Sequence, residues 1–322
     1  MFRTPRVLAV VSRLEFLPGS ISFFVVGLAW SISPPMSFFE VTISSILVFA
    51  IIVLSTIIGF QVNTIFDDDL DRRDDRKARL VQALADLGIG RLKLLIVIET
   101  AFGFVFVLLL SLYSGKPALL FMWLVGIFLA FAYSVPPLRL KSRSWLALTA
   151  LFLSVCVLPL LFTFYTFASE FDPYFLVLLG GQALGAYSTI LATEIRDYFE
   201  DKEYGIKSLT VRIGLVRVSF LSILLLATGG TLTGIAFFAK LSSIIQPALS
   251  VFLITIAIAD LFVLRKLVAL HSLSKAYEYS KNQRFVSQEI KRVANYSPQW
   301  VILVSQTSVF MSLILIVGKF LL

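Results

Sequence analysis

Long apolar windows alternate with short polar segments along almost the whole chain. Windows of roughly 17 or more apolar residues are long enough to cross a bilayer as a helix. Nine such windows are predicted as membrane-spanning helices, at about residues 16–33, 41–66, 92–113, 118–134, 145–168, 173–195, 215–239, 243–264 and 300–321. The pattern therefore predicts an all-α integral membrane protein, in which residues 1–322 form one polytopic domain bundled around a cavity.

The composition agrees with this class and narrows the possible partners. The 322 residues are 58% hydrophobic and 15% charged, whereas soluble domains are about 45–50% apolar and about 25% charged. The net charge of +8 is explained by membrane topology, so no nucleic-acid partner is expected. The single cysteine, Cys156, lies in an apolar window, which excludes a disulfide framework or a thiolate metal site.

The basic residues predict the orientation of the spans. With a cytoplasmic N-terminus, 25 of the 28 lysines and arginines fall in the inner segments, where membrane proteins concentrate them. We therefore expect a cell-membrane protein whose cavity opens to the cytoplasm and whose C-terminus lies on the opposite side. Two stretches of the inner loops, Val81–Gly88 and Leu267–Val293, are predicted as amphipathic helices that either rest at the membrane surface or act as a lid.

A dense acidic cluster follows the second window, with six carboxylates between Asp67 and Asp75. If the helix of the second span continues through it, Asn63, Asp67 and Asp71 lie at i, i+4 and i+8 on one face. Asp67 and Asp71 are then about 6 Å apart along the helix axis, a spacing at which two carboxylates can bind Mg²⁺ and, through it, a phosphate group. So many like charges are destabilising unless cations neutralise them or water screens them.

A second acidic cluster follows the sixth window. Glu194, Asp197 and Asp201 lie at i, i+3 and i+7, and Gly205 then provides a helix stop before Lys207. Each cluster alone fits a solvated helix end as well as a metal site. Two clusters with helical spacing on one predicted membrane face favour Mg²⁺ ions bound around one diphosphate.

A proline pair lies between the two acidic clusters and ends the fourth span. Pro136 and Pro137 predict an extended turn that terminates the helix. Tyr133 precedes this turn, and Arg139 and Lys141 follow it. Taken alone, the segment is an ordinary span end with positive-inside residues.

The three segments together resemble the UbiA-type intramembrane prenyltransferases. The resemblance rests on Asn63-x3-Asp67-x3-Asp71, Tyr133-Ser-x-Pro-Pro-x-Arg-x-Lys141 and Asp197-x3-Asp201-x3-Gly205-x-x-Ser208, and it extends to the nine predicted spans and Arg13. It implies Mg²⁺-dependent transfer of an isoprenyl chain from its diphosphate to a hydrophobic aromatic or lipid acceptor within membrane lipid. The chain departs from the family pattern at Thr64, Arg79-Leu80 and Glu194, none of which removes an implied Mg²⁺ ligand.

The resemblance also implies roles for single residues. Four carboxylates would bind Mg²⁺, namely Asp67, Asp71, Asp197 and Asp201, with Asn63 and Glu194 assisting. Three basic residues are candidates for binding the diphosphate or, alternatively, for anchoring loops to anionic lipid, namely Arg72, Lys141 and Lys207. The resemblance also implies that Arg13 and Arg139 bind the substrate. Tyr133 and Tyr187 are candidates for stabilising an allylic cation with their aromatic faces, and otherwise pack or line the interface.

Other function classes remain as alternatives. A polytopic transporter with cation-binding acidic clusters is the main one, but transporters usually hold their ions near the bilayer midplane, whereas these carboxylates lie at span ends. A soluble isoprenyl diphosphate synthase also pairs two acidic helices, but the predicted spans exclude that fold. Glu99 and Asp260 lie inside spans near the cytoplasmic end. They are interpreted either as groups that snorkel to the interface or make a structural hydrogen bond, or as cavity-lining residues. The acceptor stays open between aromatic, ether-lipid, tetrapyrrole and carotenoid classes, with a preference for the first two.

Overall fold

The structure is a computed structural model that describes residues 3–33, 36–168, 170, 172–241 and 246–321. Within these ranges the regular structure is entirely helical, without β-strands, which confirms the all-α class. The helices in chain order are α1 Arg3–Val11, α2 Leu17–Ser31, α3 Phe38–Asp71, α4 Ala78–Leu87, α5 Ile89–Ser114, α6 Ala118–Ser134, α7 Trp145–Phe152, α8 Leu158–Phe167, α9 Pro173–Glu203, α10 Leu209–Ile213, α11 Leu215–Leu241, α12 Gln246–Tyr279, α13 Gln283–Ala294 and α14 Ser297–Leu321.

Seven helical stretches among the described residues are long and apolar enough to cross a membrane. They are Leu14–Ser31, Phe38–Asp71, Ile89–Ser114, Trp145–Phe167, Pro173–Glu203, Leu215–Leu241 and Gln283–Phe320. Helix α6 is apolar but shorter, with 17 residues, and α12, which contains most of the predicted span 243–264, has 34 residues. The first residues of that predicted span, 243–245, lie outside the described residues. The total of nine spans therefore stays a prediction.

The helices divide into two compact units. The first comprises Met1–Ser31, Pro35–Leu140 and Leu153–Phe167, and the second comprises Ile32–Pro34, Lys141–Phe152 and Ala168–Leu322. One domain over residues 1–322 stays a prediction, and each unit is described by itself.

In the first unit, α3 packs against α2, α5 and α6, while α4 packs against α1. An apolar cluster that includes Val11, Ile58, Leu84 and Leu92 joins α1, α3, α4 and α5. Helix α4 is the amphipathic inner-loop helix predicted at Val81–Gly88, and it turns Leu80, Ala83 and Leu84 inward. This packing holds the end of α1 and the loop after α3 close to the acidic end of α3.

In the second unit, α9 and α11 form the central pair, and α12, α13 and α14 pack around them. Helix α12 continues to Tyr279, so the first half of the predicted stretch Leu267–Val293 extends the preceding helix, and only α13 is separate. No glycine or proline interrupts residues 248–279, and such residues are what usually break a helix interior. Side chains of α9, α12 and α13, including Leu191, Leu267 and Ile290, share one buried core.

Candidate functional site

The acidic end of α3 has the helical register predicted from the sequence. Because α3 continues to Asp71, the side chains of Asn63, Asp67 and Asp71 follow one another at helical spacing on one face. Asp67 is 9% exposed and Asp71 is 2% exposed. The hydroxyl of Ser134, the last residue of α6, donates to Asn63 Oδ1 at 3.0 Å and so orients this amide. Burying two carboxylates about one turn apart costs folding free energy unless cations lie beside them.

Two basic side chains from different elements neutralise Asp71. The guanidinium of Arg13 donates from Nη2 to Asp71 Oδ2 at 3.3 Å, and Lys77 donates from Nζ to Asp71 Oδ1 at 2.6 Å. Arg13 was a candidate from the sequence, whereas Lys77 was missed. Lys77 lies six residues after Asp71, beyond the end of α3, so helical spacing does not predict the contact. It is made by the 3₁₀ turn Asp75–Lys77, which folds the chain back before α4.

Three other acidic residues of this run, Asp68, Asp69 and Asp74, either pair with a neighbouring arginine or are exposed. Arg72 Nη2 donates to Asp68 Oδ2 at 2.9 Å, and Asp69 is exposed. Arg76 pairs with Asp74 at 2.9 Å. Burial raises the pKa of Asp74, but the hydrogen bonds and charge of Arg76 outweigh that effect, so the pKa lies below its ordinary value. Direct contact of Arg72 with a diphosphate stays a prediction.

The segment after α6 follows the predicted turn. Helix α6 ends at Ser134, directly before Val135 and the proline pair, whose peptide bond Pro136-Pro137 is cis. Arg139 has a positive φ of 34°, in the left-handed region that non-glycine residues adopt rarely. The side chains of Tyr133, Arg139 and Lys141 are all half-buried. Their roles toward a substrate stay predictions.

The acidic end of α9 is held by the short helix that follows it. Glu194, Asp197 and Asp201 all lie on α9, which ends at Glu203 before Gly205, a residue with a φ of 70°. Glu194 Oε2 accepts from Thr210 Oγ1 at 3.0 Å and from the Thr210 backbone N–H at 3.2 Å. Sequence reasoning missed Thr210, because its separation of 16 residues from Glu194 gives no local signal.

The remaining candidates of the second unit lie around this helix end. The carboxylate of Asp197 accepts from its neighbour Arg196 at 2.8 and 3.0 Å, and the side chain of Asp201 is half-buried. Tyr187 lies about two turns deeper on α9, where its ring meets Phe152 edge-on at a centroid distance of 5.8 Å. Lys207 is exposed in the loop after Gly205. The loop therefore presents a cation directly beyond the carboxylates of α9.

The donor atoms at both helix ends fit Mg²⁺. They are carboxylate oxygens, the ligand type this ion prefers, with no imidazole or thiolate among them. Within the described ranges, no three Asp, Glu, His or Cys side chains converge into a preformed metal cluster. Mg²⁺ in phosphate sites is usually held by one or two carboxylates, with phosphate oxygens and water completing its shell. Pairs of carboxylates at helical spacing meet that requirement.

The amino-acid sequence matches the model of one known protein family. The model of the UbiA prenyltransferase family matches residues 20–282. This range contains the three motif segments, whereas Arg13 precedes it. No curated protein sequence matches the chain.

Solved structures with the same fold are similar over nearly the whole chain. A UbiA homolog from Archaeoglobus fulgidus bound to GPP and Mg²⁺ has a TM-score of 0.62 at 15% sequence identity, covering 93% of this chain and 99% of that chain. A structure reported for digeranylgeranylglyceryl phosphate synthase in membranes has a TM-score of 0.64 at 17% identity, covering 100% of both chains. The apo structure of a UbiA homolog from Aeropyrum pernix K1 has a TM-score of 0.56 at 18% identity, covering 88% of this chain and 96% of that chain. These likenesses show the fold of the chain.

Proposed function

This chain belongs to the UbiA prenyltransferase family, and on that premise we propose that it transfers an isoprenyl chain from its diphosphate to a hydrophobic acceptor, with Mg²⁺ and with release of diphosphate. Similar structures bind GPP or DMAPP together with Mg²⁺. Family membership also favours an enzyme over the alternative of a cation transporter.

The end of α3 is the observation that carries the proposal. Buried carboxylates of Asp67 and Asp71 lie beside two cationic side chains, Arg13 and Lys77. A diphosphate bound with Mg²⁺ needs both kinds of group, because carboxylates hold the metal and cations bind the remaining phosphate oxygens. A helix end that only faced solvent would need neither the burial nor the paired cations.

The proposed roles follow from the charges of the side chains. Asp67 and Asp71 in the first unit, and Asp197 and Asp201 in the second, are proposed to hold Mg²⁺, assisted by Asn63 and Glu194. When bound, Mg²⁺ supplies Lewis-acid neutralisation of the leaving diphosphate. The cations proposed for the phosphate oxygens are Arg13, Arg72, Lys77, Arg139, Lys141 and Lys207. Tyr133 and Tyr187 are proposed to offer aromatic faces to the allylic cation that remains when the diphosphate departs.

The proposed acceptor is an aromatic or a lipid molecule, reached from the membrane on the cytoplasmic side. One similar structure is reported for digeranylgeranylglyceryl phosphate synthase, which makes a glycerol-phosphate lipid one of the two acceptor classes to test first. The proposal includes both short and long isoprenyl chains in the donor.

The direct test is diphosphate release by the purified protein. The protein in nanodiscs is given GPP or a longer isoprenyl diphosphate, Mg²⁺ and either a hydroxybenzoate or a glyceryl phosphate acceptor. Asp67→Asn and Asp201→Asn should each lower kcat/KM by about 100-fold, the size expected when electrostatic stabilisation of the leaving group is lost. Asp69→Asn is the matched control, because Asp69 is exposed in the same acidic run, and it should stay within about 2-fold of the wild type.

The assay tests the metal-binding carboxylates and the prenyl-transfer activity separately. Full activity in Asp67→Asn and Asp201→Asn would exclude these carboxylates as the metal site. If the wild type releases no diphosphate with any donor and acceptor pair, prenyl transfer itself is the wrong function.

A further inference from the structure

Buried hydrogen bonds tie the end of α1 to α3 and α5. Gln61 on α3 is fully buried, and its Nε2 donates to Ser12 Oγ at 3.0 Å and to Glu99 Oε1 on α5 at 3.2 Å. About one turn further along α3, the Thr64 hydroxyl is shared between the backbone carbonyl of Phe60 on its own helix, at 2.9 Å, and that of Val11, at 3.2 Å. The two residues that precede Arg13 are therefore held by side chains of α3.

Arg13 itself has an unusual backbone. Its φ of 46° and ψ of 49° lie in the left-handed region, between the end of α1 and a 3₁₀ turn that begins at Leu14. A side chain with a Cβ adopts this conformation rarely, and it persists where the surroundings determine it. Here the surroundings are the anchored Val11 and Ser12 on one side and the ion pair with Asp71 on the other.

Packing alone does not explain the polar pair Gln61 and Glu99. Gln61 Oε1 and Glu99 Oε2 are buried, and no described residue hydrogen-bonds to either atom. Apolar side chains of similar size fill such positions at no electrostatic cost and often stabilise a core. The amide nitrogen of Gln61 bridges Glu99 on α5 and Ser12 after α1. The polar groups thus set where Ser12 lies.

We propose that Gln61 and Glu99 are positioning residues for the diphosphate site, which hold Arg13 against Asp71 by way of Ser12. The inference rests on the proposed function, since it assigns Arg13 to the leaving diphosphate. Glu99 orients the amide of Gln61, Gln61 fixes Ser12, and the turn at Arg13 then presents its guanidinium at the acidic end of α3. Of the alternatives predicted for Glu99, the proposal builds on the structural hydrogen bond, which is the one with Gln61.

The experiment is a double-mutant cycle on donor binding and turnover. Gln61→Leu keeps the size of the side chain and removes both N–H donors, and it should raise the Kd of geranyl thiodiphosphate and lower kcat/KM by about 10-fold each, a usual coupling for contacting residues. In the Arg13→Ala background the same change should alter kcat/KM by less than about 2-fold, because Gln61 acts only through Arg13. Glu99→Leu should resemble Gln61→Leu, whereas Glu99→Gln should stay near the wild type, because its amide oxygen still accepts from Gln61.

The matched control is Gln182→Leu in the second unit. Gln182 is also buried and also donates twice, to Thr233 Oγ1 at 3.2 Å and to Ser308 Oγ at 2.8 Å. This variant should lower the thermal unfolding temperature by as much as Gln61→Leu while leaving the Kd of the thiodiphosphate unchanged. If Gln61→Leu does not fold, Ser12→Ala removes only the accepting oxygen and is expected to show the same coupling to Arg13.

Three outcomes would overturn the positioning role. They are multiplicative effects of Gln61→Leu and Arg13→Ala, an unchanged Kd in Gln61→Leu, and an equal loss in Glu99→Gln and Glu99→Leu. The two proposals can fail separately. If the wild type is inactive but binds the thiodiphosphate more tightly than Gln61→Leu, prenyl transfer is contradicted and the positioning role is supported.

Discussion

Asp71 accepts from two cations that come from separate elements, Arg13 at the end of α1 and Lys77 in the turn before α4. Asp67, a second buried carboxylate, lies one turn away on α3, so the two cations match the charge of two carboxylates. Under the proposed function, the oxygens of a diphosphate can take over Arg13 and Lys77 while the carboxylates turn to a metal ion. The ion pairs of the free protein thus keep charged groups satisfied until a substrate replaces them.

At the same scale, Thr210 is predicted to secure Glu194 and the loop that carries Lys207. Thr210→Val keeps the shape of the side chain but removes the hydroxyl that donates to Glu194. Losing one hydrogen bond to a half-buried carboxylate should cost about 1–2 kcal/mol of stability, and we expect a fall in kcat/KM of about 5-fold from a looser loop. Thermal unfolding in detergent and donor kinetics measure the two effects.

Thr231→Val is the control for Thr210→Val. The Thr231 hydroxyl is exposed and donates only to the carbonyl of Ala227, one turn earlier in α11. It should leave both stability and kcat/KM nearly unchanged. Equal effects of the two variants would mean that the contact with Glu194 has no special role.

Helices α9 and α11 approach each other through glycines. A Cβ on Gly181 would lie 2.6 Å from the backbone nitrogen of Thr233, and one on Gly229 would lie 2.7 Å from the carbonyl oxygen of Gly181. Small residues allow this approach, and helix association within membranes depends on close van der Waals packing. Because α9 carries Glu194, Asp197 and Asp201 at its other end, its packing on α11 helps to set where those carboxylates lie.

Gly181→Ala is therefore predicted to force α9 and α11 apart. The added methyl group meets backbone atoms that have little room to move, so we expect a loss of about 1–3 kcal/mol, typical of overpacking. Gly180→Ala is the matched control, since no atom beyond the adjacent turns of α9 lies within 4 Å of a Cβ built there. It should be neutral or slightly stabilising, because alanine favours a helix over glycine. Unfolding temperatures in detergent compare the two variants, and similar values for both would contradict the close packing.

Local signals in the sequence predicted helix ends but not tertiary contacts. The acidic spacing predicted that α3 reaches Asp71, Gly205 predicted the stop after α9, and the proline pair predicted the end of α6. The contacts of Lys77 and Thr210 join residues with no periodic relation, so each looks like a solvated side chain in the sequence. The π-helical segment Leu153–Val157 inside the predicted span 145–168 was also not predicted, although Pro159, which lacks a backbone N–H, lies just beyond it.

For the whole molecule, the strongest sequence feature is the one-sided distribution of basic residues. The inner segments predicted from it hold the acidic ends of α3 and α9, the proline turn and α4. An orientation with these segments in the cytoplasm would place the proposed chemistry on the side where a soluble diphosphate donor is made and diphosphate is released. The orientation can be tested without any assay of activity.

The final prediction uses cysteine labelling of the intact membrane. The native chain offers a clean background, because its single cysteine, Cys156, is fully buried. Ser37 is exposed directly before α3, and Lys281 is exposed between α12 and α13, so a cysteine is placed at each position. With nine spans and a cytoplasmic N-terminus, a membrane-impermeant maleimide should label Ser37→Cys in intact cells and Lys281→Cys only after permeabilisation.

The control for this experiment is the native chain, which should stay unlabelled until it is denatured. If Lys281→Cys is labelled in intact cells and Ser37→Cys only after permeabilisation, the orientation is the reverse of the predicted one. The acidic helix ends would then lie outside the cytoplasm, against the positive-inside distribution. Labelling of both positions from the same side would mean that the chain crosses the membrane an even number of times between Ser37 and Lys281. The nine predicted spans require an odd number there. The same two variants therefore test the orientation and the parity of the span count independently of any substrate.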